Sequence, residues 1–244
     1  MSYYNVKVGG LGFIARRDTC DEGVIREVVE ADVYKLKTID FKEPPVVVDV
    51  GGHIGSFTRA AAAKWPSGKF FTYEANPMNY DIITRNLSSI TSYKKVFLGA
   101  CVGAPPANKF MVISKPEADS ITGGWGILYD ENPVNVNHDK TATVPITNFY
   151  SLVDLFEQEK LSKIHLLKLD CEGSEFSIIK ELPDELLAKI DIIVAEVHCG
   201  ALPHAPMKWD AFRAKLLSTH SCPDLEARKT VSHKDLFNIV LRKK

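Results

Sequence analysis

Asp170, Glu172 and Glu175 put three carboxylates within six residues, straight after an apolar run that reads as a buried strand, Leu166, Leu167 and Leu169 in "LLKLDCEGSEF". Like charges this close disfavour each other's ionisation, and a buried carboxylate is costly without a partner. In group transfer to a hydroxyl such a cluster has three uses: holding a cationic ligand, accepting a proton, and capping the next helix. Glu175, in the first helical turn, fits capping better than catalysis. Asp170, at the strand terminus, fits the cationic ligand, and Glu172 fits the acceptor proton. Glu196 and His198 in "VAEVHCG" occupy alternate positions, so they share one strand face and can meet the same cluster. A histidine titrating near neutrality serves as a general base; an ordinary hydrogen-bonded histidine at a strand end is the alternative. Asp170, Glu172 and His198 are therefore the candidate catalytic residues. A divalent metal on Asp170, Glu172, Glu196 and His198 is chemically reasonable but less favoured, and no residue is assigned as a metal ligand.

The second constellation is "VVVDVGGHIGSFT", in which Asp49 precedes Gly51, Gly52 and Gly55. Glycines there permit a tight strand-to-helix turn and close approach of backbone to a ligand. A dinucleotide fingerprint ending at Gly55 needs glycine where Val50 stands, and there is no lysine for a phosphate loop. The next strand, "KFFTYEA", ends in Glu74, an acid placed to accept hydrogen bonds from both hydroxyls of a ribose. Asp49 at the loop head would repel pyrophosphate and suits a cationic ligand. S-adenosylmethionine carries a ribose, an ammonium and a sulfonium, with no phosphate.

Strand and helix signals alternate around these residues. "DEGVIREVVEADVY" offers Asp21 as a cap and an apolar stripe at Val24, Ile25, Val28 and Val29 within an N-terminal helical segment over about 1–43. "VVVDV" reads as a parallel strand covered on both faces, and "IGSFTRAAAAKW" as a helix stopped by "PSG". Asn76 and Pro77 open the next helix, before a third strand in "KVFLGACV". An insertion over about 104–147 carries two strands, "KFMVIS" and "ATVPIT", around a loop placed to form part of an acceptor site with "GALPHAPMKW". Within that loop Trp125 suits recognition of a sugar face, with Tyr129 beside it; Trp209, Phe212 and Leu216 have the spacing of a helical core face. Alternation then resumes, and the chain ends in a strand pair, "LEARKT" with "LFNIVLRKK". Strands separated by helices predict an α/β, doubly wound sheet that binds ligands beyond its strands' carboxyl ends, where the acids fall.

The 244 residues carry 30 basic and 31 acidic side chains with 45% hydrophobic content, the composition of a single globular domain over 1–244. Near-neutrality gives no electrostatic footprint for nucleic acid or an anionic membrane. No apolar run approaches the ~18 residues of a membrane span, and the N-terminus lacks a secretory pattern. Five scattered cysteines with no CxxC pair point to a reducing cytoplasm.

The stretches "RDTCDEGVIREV", "VVVDVGGHIGSFT", "YEANPMNYDIITRNL" and "LLKLDCEGSEFSIIKEL" with "IIVAEVH" occur in the order seen in class I S-adenosylmethionine-dependent methyltransferases, and the chain resembles their FkbM family over roughly residues 18–198. The Asp-x-Glu-Gly-x-Glu segment at 170–175 is the most specific match. The resemblance implies a mostly parallel, Rossmann-like seven-stranded sheet with an antiparallel C-terminal strand pair, and O-methyl transfer to a hydroxyl of a sugar, polyketide or similar metabolite. It implies cofactor contacts from Asp49, Gly51, Gly55 and Glu74; Gly52, His53 and Ala75 stand beside these in the chain, and Asp170, from its place at the strand end, is the candidate for the ammonium. Gly52-His53 departs from the Ala-Asn usual in that loop, though a histidine can still donate a hydrogen bond. The lack of an Asn/Asp-Pro-Pro-aromatic motif after the Asp170 strand weighs against methylation of an amine. The alternative is a catalytically silent cofactor-binding or scaffolding module of the same fold.

Overall fold

The computed structural model describes residues 2–103, 110–114, 141–145, 148–201, 205, 207–232 and 234–244. Where the sequence suggests a helical segment over about 1–43, the chain begins instead with an antiparallel hairpin, β1 (Tyr3–Val8) and β2 (Leu11–Arg16). Gly9 and Gly10, both at positive φ, make its two-residue turn. Val8, Phe13 and Ala15 pack with Ile25, Ile54 and Ile82, so alternation of period two decides the structure here. Helix α1 (Asp21–Val29) follows, burying Ile25 and Val28 as its stripe predicts. Its cap position is Cys20; Asp21 is the first helical residue, and its carboxylate turns inward to Arg16.

The wound part runs β3 (Val46–Val50), α2 (Ser56–Lys64), β4 (Lys69–Glu74), α3 (Pro77–Asn86) and β5 (Lys94–Leu98). Asn76 caps α3 by accepting from the Met78 N–H, with Pro77 in the first turn. The third strand is interrupted at Gly99, whose φ of 151° and closeness to the Asn148 carbonyl leave no room for a side chain. β6 (Ala100–Cys101) therefore leaves the main sheet. It pairs with β9 (Phe149–Tyr150), and between them β7 (Phe110–Ser114) and β8 (Thr141–Pro145) form a separate antiparallel pair.

The chain continues through α4 (Leu152–Gln158), β10 (Ile164–Leu169), α5 (Glu175–Glu181), α6 (Asp184–Leu187) and β11 (Ile190–His198). It ends with α7 (Trp209–Thr219), β12 (His220–Ser221), α8 (Pro223–Ala227) and β13 (Leu236–Lys243). "LEARKT" is thus not a strand: Pro223 opens a short helix that buries Leu225, and β12 supplies the extra edge.

The seven-stranded sheet has the order β12-β13-β11-β10-β3-β4-β5, with only β13 antiparallel to its neighbours. Connections leave β3 toward β5 on one side and pass through β10 toward β12 on the other, so the switch point lies between β3 and β10. Side-chain alternation divides the interior. Val48, Val50, Leu167, Leu169 and Ile193 face Leu155, Phe176 and Phe212; Val47, Leu166, Ile192 and Val194 face Tyr34, Phe57 and Trp65. Trp209 and Leu216 are buried in the first of these layers, as their spacing suggests.

Candidate active site

Register sets the site. Val50 pairs with Leu169 and with Tyr73, so β3, β4 and β10 end level, and the residues that follow them converge. Gly51 sits at φ 83°, where a Cβ would lie 1.7 Å from the Asp170 carbonyl oxygen; only glycine lets the two chain ends meet. A cavity of about 440 Å³ opens beyond these ends, within the range of small-ligand sites. Of the sequence candidates, Gly51, His53, Glu74, Ala75, Asp170 and Glu172 line it. Cys20, Val28 and Tyr34 from the N-terminal segment complete the wall.

Asp49, Gly52 and Gly55 do not line the cavity. Asp49 is a correction that parity explains: it shares the face of Val47, so its side chain enters the layer beneath α2. There it is fully buried, accepts from the Thr58 hydroxyl at 2.7 Å, and lies 3.3 Å from Lys168 Nζ. Asp49 and Lys168 are direct cross-strand partners. Lys168 Nζ also donates to the Gly51 carbonyl at 2.6 Å and stands 3.3 Å from Asp170 Oδ2. Tyr34 donates its hydroxyl to that same oxygen at 2.6 Å. Burial raises the Asp49 carboxyl pKa, Lys168 offsetting only part of it. For Asp170 burial pushes the same way, but Lys168, His198 and the Tyr34 hydrogen bond prevail and hold it ionised.

Glu74 is held in place by the loop itself. Its Oε2 accepts from the His53 backbone N–H at 2.6 Å, and its Oε1 from Asn76 N–H at 2.8 Å and Asn79 Nδ2 at 3.4 Å. His53 reaches this position with φ 49°, a left-handed conformation uncommon outside glycine.

Four carboxylates surround His198. Its Nδ1 lies 2.9 Å from Glu175 Oε1; its Nε2 lies 3.4 Å from Glu196, 3.5 Å from Glu172 and 3.8 Å from Asp170. Glu175 Oε1 also accepts from the Cys171 N–H at 2.9 Å, tying the segment after β10 into the cluster. Burial disfavours charge on the ring, yet the bonds to Glu175 and Glu196 outweigh it and push the His198 pKa up to about 12. The surrounding carboxylates favour the protonated ring, which weighs against His198 as the neutral-range base that its residue type suggests. Burial, with the neighbouring acids, pushes the Glu172 carboxyl up to about 7, against the pull of His198. A carboxylate poised there suits proton transfer at neutral pH. Asp170, Glu196 and His198 each offer an atom within 4.8 Å of the others, a spacing compatible with a divalent cation.

Trp125 and Tyr129 lie outside the described residues, as does most of the loop carrying them. Among the described residues no helix is long and apolar enough to cross a membrane, and no disulfide joins the five cysteines.

The sequence model of the FkbM methyltransferase domain matches residues 49–222. The chain belongs to the FkbM methyltransferase family. It is 26% identical over 187 residues to Methyltransferase 1 of Beauveria bassiana (strain ARSEF 2860), covering 70% of this chain and 73% of that protein. It is 25% identical over 177 residues to the hexuronic acid methyltransferase AglP of Haloferax volcanii, covering 71% and 64%. A solved precorrin-6y C5,15-methyltransferase from Geobacter metallireducens GS-15 is similar at a TM-score of 0.46 and 14% identity, covering 94% and 93%. Methyl transfer is accordingly the activity class, and the sheet order, with one reversed strand near its edge, is that of the class I methyltransferase fold.

Tyr34 and Lys168 escaped the sequence reading. Lys168 interrupts the leucines of its strand, and a lysine in a run covered on both faces is the signal that could have found it. Tyr34 lies 136 residues from its partner Asp170, and no local pattern joins them.

Proposed function

We propose that this FkbM protein is an S-adenosylmethionine-dependent O-methyltransferase acting on a hydroxyl of a sugar, polyketide or similar small metabolite. The observation that carries the reading is that Glu74, at the end of β4, and Glu172, with its carboxyl pushed up to about 7, line one cavity. The cavity's composition suits the donor: acids such as Glu27, Glu74, Asp170 and Glu196 line it, and its described wall contains neither lysine nor arginine. A cationic ligand without phosphate fits that field. S-adenosylmethionine, when bound, supplies a methyl group on a sulfonium.

The chain's own residues supply position and proton transfer. Glu74, its oxygens fixed by the donors from His53, Asn76 and Asn79, takes the ribose hydroxyls. Asp170, kept ionised by Lys168 and Tyr34, faces the ammonium. With the donor bound, Glu172 would accept the proton of the acceptor hydroxyl while the hydroxyl oxygen takes the methyl carbon and the electrons of the carbon–sulfur bond leave with sulfur. Alignment of acceptor and methyl in line supplies the larger share of the acceleration.

The relative from Haloferax volcanii is named for a hexuronic acid, which supports a sugar acceptor. An anionic sugar would meet the acids of this wall, so the acceptor read from the described residues is a neutral hydroxyl compound. Mass spectrometry of small molecules retained by the purified protein tests the donor directly. Retained S-adenosylmethionine or S-adenosylhomocysteine supports it, and a retained nicotinamide dinucleotide refutes it.

A further inference from the structure

We infer that the buried Arg16–Asp21 ion pair, contributed by the N-terminal segment that precedes the domain match at residues 49–222, is a positioning device for Glu74. The inference rests on the reading of Glu74 as the group that holds the donor ribose. Arg16 is 1% exposed and Asp21 0%. Two parallel bonds join them, Nε to Oδ2 and Nη2 to Oδ1, both at 2.8 Å, and the Arg16 backbone N–H adds a third at 2.9 Å. An isolated buried pair is weak support for stability, because desolvation consumes most of the attraction. The neighbours of this one give it another use.

Two arms run from the pair to the two oxygens of Glu74. Asp21 Oδ1 lies 3.3 Å from His53 Nε2, fixing a residue whose left-handed backbone aims its N–H at Glu74 Oε2. On the other side Arg16 Nη2 donates to Asn79 Oδ1 at 2.7 Å, which turns the amide so that Nδ2 faces Glu74 Oε1. One guanidinium–carboxylate unit thus sets both donors that are not part of Glu74's own turn. Burial raises the Glu74 carboxyl pKa and the Asn76, His53 and Asn79 donors offset only part of that, so what the two arms set is the direction in which its oxygens face. The bidentate fork also suits the task, since its planar geometry fixes direction as well as charge.

A double-mutant cycle read by titration calorimetry with S-adenosylhomocysteine tests the inference. Asp21→Asn and His53→Asn are each made in the parent and in a Glu74→Gln background. Asparagine tolerates the left-handed region, so His53→Asn cuts one arm while leaving the ion pair and the loop backbone whole, and it reads the inference even where Asp21→Asn does not fold. Each variant is expected to weaken binding roughly 5- to 30-fold in the parent. In the Glu74→Gln background each should weaken it by less than about 2-fold, because the group they position is already lost. A loss caused only by loosened folding would persist in that background. Equal losses in both backgrounds, or unchanged affinity in a parent that binds, overturn the positioning role alone. A parent without affinity for the ligand overturns the donor reading as well.

Discussion

Replacing Lys168 with methionine keeps the length of the side chain and removes its charge from between Asp49 and Asp170. Nζ lies 3.3 Å from a carboxylate oxygen of each. Each attraction is then about 5 kcal/mol at an effective dielectric of roughly 20. Desolvation of the ammonium offsets much of that sum, and the hydrogen bond to the Gly51 carbonyl is lost as well. The net cost of deleting one member of such a buried group is about 3–5 kcal/mol, because Asp49 is left with no counter-charge and Asp170 with only His198 and the Tyr34 hydroxyl. The sign with pH follows. In the parent, Asp170 has a lowered folded pKa, so its contribution is present above the unfolded value and fades as pH falls through the folded one. In the variant Asp49, already raised in the parent, would titrate still higher and Asp170 would lose its largest downward pull, so relative to the parent stability is lost as pH rises. Both changes narrow the gap between the proteins as the pH is lowered. Urea unfolding followed by circular dichroism at pH 7 and near pH 5 reads the difference, provided the slope with denaturant is unchanged. A loss below about 1 kcal/mol at pH 7, or a gap that widens on acidification, would refute the account of Lys168 as the counter-charge of two buried acids.

Glu172→Gln should slow methyl transfer by roughly 10²- to 10⁴-fold, and the parent's rate should rise with pH to a plateau above about 7 as that carboxyl ionises; full turnover in the variant on an identified acceptor would remove Glu172 as the base. Because the folded pKa of Glu172 is raised, its stabilising contribution is present at low pH and lost as pH rises through about 7, so the Gln variant should gain stability on the parent from pH 5 to 8. Glu74→Ala should weaken donor binding by about 1–3 kcal/mol, and unchanged affinity in calorimetry would displace it from the ribose. Treatment with a chelator should leave transfer unchanged, since Lys168 and a protonated His198 already supply positive charge among the acids; activity lost and then restored by magnesium would make Asp170, Glu196 and His198 metal ligands.

Most of the wound core was legible because its signals are local. The β-branched run ending in Val50 and the Asn76-Pro77 start of α3 each depend on a few adjacent residues, and each appears in place. The failures lie where the deciding contact is distant or the element short. Gly99 breaks a strand because Asn148 crowds it. The N-terminal hairpin is fixed by packing on Ile54 and Ile82, and the α1 stripe nearby drew attention to the wrong periodicity.

The site divides along the same line. Position at a strand's carboxyl end could be read from the sequence, and Glu74, Asp170, Glu172 and Glu196 all reach the cavity. Register and charge environment could not, and they assign the chemistry. Asp49 looked like a ligand of the cofactor until its pairing with Lys168 turned it into a buried counter-ion. His198 reads as the base from its intrinsic pKa, but acids from the segment after β10, from α5 and from β11 converge on it and favour its protonated form. The field that favours the protonated histidine also separates the two acids on either side of Cys171. Asp170 has an ammonium and a phenol within hydrogen-bonding reach; Glu172 has neither, and it is held in a left-handed backbone, φ 54°, beside three other carboxylates. Two acids whose environments drive their pKa values apart suit different roles in the proposed reaction, one staying charged toward the donor and the other exchanging a proton near neutrality.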